Sequence, residues 1–159
     1  MADSGVKSNY SLFAIPAYMV VAVIPHAYSV YLIGSNNNWK WDNASPRSTN
    51  NKSNCSKTVP SAVYRKFERC RAAHDNMLEN MAFVVGGILS GVICKLDAGW
   101  MNTVSAVIVG TRVLYVLSYV QTSSLRWSYL RTIWYNVSAI AVMAMYWKAG
   151  WKLSSGQLP

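Results

Sequence analysis

The chain has 159 residues, 52 % apolar and only 13 % charged, with seven Trp, ten Tyr and a formal charge of +9 at a pI of about 9.6. A sequence this apolar and aromatic is neither a disordered segment nor a nucleic-acid binder, because its Lys and Arg sit between apolar blocks rather than along one face. Charge distributed in that way sets topology in a membrane.

Four stretches, residues 12–34, 72–94, 100–120 and 129–147, come near the ~20 residues that cross ~30 Å of hydrocarbon. They predict an all-α membrane protein, a four-transmembrane-helix bundle in which residues 1–159 form one domain. Residues 1–11 read as a polar tail. The first span is too long for the apolar core of a signal peptide and is expected to be retained as a helix. It contains Pro16, Pro25 and His26, and the histidine is expected to hydrogen-bond across helices near the proline kink.

Residues 36–58 are rich in Asn and Ser and read as a flexible cytosolic insert, entered through Trp39 and Trp41 as interface anchors. The insert carries Asn-x-Ser at Asn43, Asn51 and Asn54, which a cytosolic location leaves unglycosylated. Cys55, Cys70 and Cys94 are odd in number and share no metal-ligand spacing, so neither a disulfide framework nor a metal site is expected. Between the first and second spans lie eight basic residues against Asp42 and Glu68, and the joint between spans three and four adds Arg126 and Arg131 without an acid. The remaining joint, 95–99, is neutral. The positive-inside rule therefore puts both basic loops in the cytosol and both termini on the lumenal side.

The second span opens on the densest chemistry in the chain, Glu68-Arg69-Cys70-Arg71-Ala72-Ala73-His74-Asp75-Asn76-Met77-Leu78-Glu79-Asn80. Arg71, His74, Asp75, Leu78 and Glu79 recur at helical spacing, so an ionisable stripe enters the membrane, where unpaired charge is expensive. Asn76 and Glu79, three apart, can present an amide and a carboxylate to a ligand carrying both ammonium and carbonyl groups. Pairing of Arg71, Asp75 and Glu79 along the helix is the structural alternative. At the end of the third span Arg112, Tyr115, Tyr119 and Arg126 stand at offsets 0, 3, 7 and 14, one seam if the helix runs that far. Tyrosine stripes commonly pack; an arginine beside them at the cytosolic mouth could also hold an acidic thiol as thiolate. The fourth span is bounded by Arg131 on one side and by Trp147, Lys148, Trp151 and Lys152 on the other.

Glu68-Arg69-Cys70-Arg71 followed by Ala73-His74-x-Asn76-x-x-Glu79-Asn80, together with Arg112-x-x-Tyr115-x-x-x-Tyr119 and Arg126, resembles the membrane-associated proteins in eicosanoid and glutathione metabolism (MAPEG). The resemblance covers all four spans. It implies a homotrimer, glutathione bound between neighbouring protomers near the cytosolic face, a lipophilic co-substrate entering from the membrane lipid, and residence in the endoplasmic reticulum. Carried over by position, it gives Arg71, His74, Asn76 and Glu79 to glutathione binding, lines the pocket with Arg112, Tyr115 and Tyr119, and makes Arg126 the thiolate-stabilising catalytic residue. The chain departs from the family pattern at Ala72, where relatives usually carry arginine, and at Asp75; both departures weaken the cationic grip on glutathione. The function implied is a glutathione-dependent transferase, peroxidase or isomerase. Two alternatives stay open: a non-catalytic lipid-presenting scaffold, and a glutathione-independent isomerase or cyclase using His74, Asp75 and Glu79 as acid and base.

Overall fold

A computed structural model describes residues 8–40, 42, 44–46 and 48–156. Trp41, Asn43 and Arg47, which the sequence assigns to an interface anchor, a glycan acceptor and the loop charge, lie outside the described residues, as does most of the N-terminal tail. The elements are a 3₁₀ turn at Ser11–Phe13 and five helices: α1 Ala14–Asn36, α2 Thr49–Thr58, α3 Ser61–Ile93, α4 Ala98–Gln121 and α5 Leu125–Ser154.

The described part of the tail is tied down. Tyr10 N–H donates to Asn102 Oδ1 at 2.7 Å and Asn102 Nδ2 returns a bond to the Ser8 carbonyl at 2.8 Å, which straps the entry of α1 to α4. Within α1, Pro25 is fully inside the helix and buried against the bundle. Past its end, Trp39 adopts a left-handed backbone at φ 59 and lays its ring on Gly34, where no larger residue fits.

Within the Asn/Ser-rich insert, Thr49–Thr58 forms α2. Ser48 Oγ accepts from Asn51 N–H at 3.1 Å and caps the helix, and Cys55 and Val59 close a small apolar cluster with Ile33 of α1 and Phe67 of α3. Burial there pushes the Cys55 thiol above its ordinary pKa and keeps it protonated.

At 33 residues α3 is about 50 Å long, well beyond the ~30 Å of hydrocarbon, so its first turns stand in the headgroup and water layers. Asp97 Oδ1 caps α4 by accepting from Trp100 N–H at 2.8 Å. The α4 helix stops at Gln121, and Thr122–Ser124 turn the chain into α5. That turn carries neither Pro nor Gly, and it breaks the expected seam, placing Arg126 on a different helix from Arg112, Tyr115 and Tyr119.

The four long helices form one bundle in which α4 packs chiefly on α5 and α1 on α3, with α3 and α5 joining the two pairs. Tyr18, Met77, Val84, Ile88, Met101, Ile108, Val142 and Met145 make its core. Gly87 sets the α3–α5 spacing, because a Cβ there would meet Val142 Cγ1 at 2.7 Å. Three helical stretches are long and apolar enough to cross a membrane: Ser11–Asn36, Ser61–Ile93 and Ala98–Gln121. Only 22–33 % of their apolar windows is buried inside the bundle, which is how a chain solvated by lipid or by its own copies distributes apolar surface. The fourth expected stretch, 129–147, lies within α5, whose Trp, Tyr, Asn136 and Ser138 dilute its hydropathy.

Candidate functional site: a polar cleft between three helices

Helix α3 carries two polar faces rather than one stripe. With 3.6 residues per turn, His74 lies roughly 140–160° around the axis from Glu79 and Asn76. The first face looks to α1. Arg71 Nη1 donates to His26 Nδ1 at 2.7 Å, and His74 Nδ1 donates to the Ala22 carbonyl at 2.7 Å while its ring stacks on His26 at 4.9 Å. Both tautomers follow: a guanidinium only donates, so His26 Nδ1 is the bare nitrogen, and a carbonyl only accepts, so His74 Nδ1 bears the proton. His26 is thus hydrogen-bonded across helices as expected. Arg71 and His74, however, are taken up by this α1–α3 contact and do not reach the residues with which the sequence groups them.

The second face opens into a cleft of about 360 Å³ lined by Asn76, Glu79 and Asn80 of α3, Tyr115 and Tyr119 of α4, and Arg131, Thr132 and Tyr135 of α5. That volume is within the ~300–1,000 Å³ of small-molecule sites. Asn76 Nδ2 donates to Tyr115 Oη at 2.9 Å, and Tyr135 Oη donates to Asn80 Oδ1 at 3.0 Å, so two amides and two phenols fix the walls. Asn80 Nδ2 in turn donates to the Asn76 carbonyl at 2.8 Å. Glu79 is exposed to the cleft with its carboxylate unused. Opposite it the Arg131 guanidinium lies on the Tyr119 ring, 4.3 Å from the centroid. Of the residues the sequence groups together, the structure brings Asn76, Glu79, Tyr115 and Tyr119 to this one cleft.

Arg112 is fully buried behind this wall rather than in the cleft. Its Nε donates to Ser138 Oγ at 2.9 Å, and its guanidinium sits 4.9 Å from the ring of Tyr135, 5.8 Å from Tyr115 and 5.9 Å from Tyr18. Nη1 and Nη2 have no partner among the described residues. A cation held by one hydroxyl and three aromatic rings projects its field past Tyr115 and Tyr135 into the cleft, favouring negative charge there. Arg126, at the first turn of α5, is exposed and lies outside the cleft lining. Asp75 is exposed as well. His74 is thus buried on the α1 face, apart from the exposed Asp75 and Glu79.

Arg131, Thr132 and Tyr135 were not distinguishable as site residues from sequence, where Arg131 counts only as loop charge. The signal was present in the spacing, because Arg131 and Tyr135 are four apart on one face of α5. A larger apolar groove of about 680 Å³ runs along α5 past Phe83, Met143, Tyr146 and Trp151. Its lining is mostly apolar, and its one phenol, Tyr146, donates its Oη proton to the Phe83 carbonyl at 3.1 Å.

An acid, a guanidinium, two amides and three phenols around one cleft can grip a zwitterion with peptide groups, and the bundle carrying them is that of a polytopic membrane protein. A model of the MAPEG family matches residues 12–151, and the chain belongs to that family of membrane proteins in eicosanoid and glutathione metabolism. No curated protein and no solved structure matches it.

Proposed function

We propose that this chain is a glutathione-dependent membrane enzyme, a transferase, peroxidase or isomerase acting on a lipophilic electrophile. The observation that carries this reading is the convergence of Asn76, Glu79, Tyr115 and Tyr119 on one cleft in a family member. Glu79 takes the ammonium group of glutathione and Asn76 its peptide, while the phenols of Tyr115 and Tyr119 line the thiol end. We further propose that α5 is the fourth span, since Ile133, Val137, Ile140, Met143 and Trp147 leave an exposed apolar strip along its length. The protein then lies in the endoplasmic reticulum with both termini lumenal, as a homotrimer.

In that assembly Arg126 serves a neighbouring protomer's cleft, where its guanidinium lowers the thiol pKa of bound glutathione, and the resulting thiolate is the nucleophile beside the lipid substrate. Its position outside its own chain's cleft is also what favours a second reading, a scaffold that binds without turnover. Thiolate absorbance and conjugation of a lipophilic electrophile separate the two. Wild type should show a thiolate band on adding glutathione, and Arg126→Ala should keep binding while kcat falls about 100-fold and the acidic limb of its pH–rate profile shifts to higher pH. Bound glutathione that remains a thiol in wild type, with no turnover, would hand the case to the scaffold.

A further inference from the structure

A second cleft of about 330 Å³, lined by Arg69, Thr122, Ser123, Ser124, Ser128 and Arg131, adjoins the first and shares Arg131 with it. Two guanidinium groups converge there with four hydroxyls and no carboxylate in the lining. Arg69 uses only its Nε, donating to the Val120 carbonyl at 3.5 Å, and Arg131 only its Nε, donating to the Ser128 carbonyl at 3.3 Å. Their terminal nitrogens, the pair that forks onto a carboxylate, have no hydrogen-bond partner among the described residues. Two uncompensated cations in one cleft at a membrane edge repel each other, and an anion between them relieves that cost.

Arg69 lies seven residues before Asn76 on the same face of α3, about 10 Å along the axis. An extended tripeptide is about 10 Å long. We infer that Arg69 and Arg131 are the carboxylate grip of this site and hold the glycyl carboxylate of glutathione, doing from α3 and α5 what the chain lost by carrying Ala72. This rests on the glutathione reading, and it replaces Arg71, which is spent on His26. Arg131, its guanidinium 4.3 Å from the Tyr119 ring centroid, lines both clefts and orients the peptide between Glu79 at one end and Arg69 at the other.

The test is calorimetry of purified protein with glutathione and with its glycyl ethyl ester. Wild type should bind the free acid about tenfold to a hundredfold more tightly than the ester, and the gap should close in Arg69→Gln and Arg131→Gln. Arg69 also holds the end of α4, so its loss could loosen the site indirectly; such loosening weakens acid and ester alike and leaves the gap open. Equal binding of acid and ester by wild type, or a gap that survives in both variants, overturns the carboxylate grip and leaves the glutathione cleft standing. No binding of either ligand by wild type overturns both.

Discussion

The amide of Asn76 and the phenol of Tyr115 meet at 2.9 Å, and because the phenol oxygen accepts there, its own proton is left to point at a ligand. Tyr115→Phe removes the acceptor from one half-buried amide and the donor from the site. The fold should lose about 1 kcal/mol and glutathione affinity about fivefold to tenfold, measured as Tm and by calorimetry on the same preparation. Unchanged affinity would mean that Tyr115 is only packing. Asn76 and Glu79 were legible in the sequence because three residues apart on a helix is a geometric fact. That Arg71 and His74 turn instead to α1 was not, since which face of α3 meets which neighbour depends on packing that no local spacing encodes. Arg112 shows the same limit: its position on the Tyr115 face is readable, but its burial behind the tyrosine rings is a property of three helices together.

Helices α3 and α5 form the cleft only because they approach closely below it. Gly87 permits this, with Val142 in the space that a side chain would need. Gly87→Leu should push the helices apart and cost about 1–3 kcal/mol by overpacking, read as a lower Tm together with weaker glutathione binding. Gly110 of α4 faces open space within the chain, so Gly110→Ala is the control and should gain up to about 1 kcal/mol of helix propensity. If both variants behave alike, Gly87 is not the spacer. The apolar cores of the long helices could be placed from the sequence, but α3 starts at Ser61, well before the expected 72, and α5 runs past 129–147 at both ends, because polar turns extend a helix beyond the membrane without an apolar signal. The α2 helix could not be placed, because Thr, Asn and Ser are weak helix formers, and what holds Thr49–Thr58 is the Ser48 cap and the seating of Cys55 and Val59 on α1 and α3. The end of α4 at Gln121 falls within one residue of the expected span, although Thr122–Ser124 stop the helix without a Pro or Gly to mark the break.

The whole molecule segregates its chemistry by height. The titratable groups of α3, the two polar clefts and the α4–α5 turn share one end of the bundle, and the apolar groove along α5 runs toward the other. A hydrophilic tripeptide reaching the first from water and a lipid lying along the bundle would meet at the boundary between them, which is the geometry a glutathione enzyme of lipid metabolism needs. Family membership and bundle organisation were readable from two motifs on separate helices. The arginine pair at the cleft was not, because Arg69 and Arg131 are 62 positions apart and meet only through the fold. The most direct test is titration of glutathione into detergent-purified wild type and Glu79→Ala, followed by calorimetry. The account predicts saturable heat from wild type and little or none from Glu79→Ala, at equal Tm. No heat from wild type at millimolar glutathione, or undiminished heat from Glu79→Ala, would contradict it.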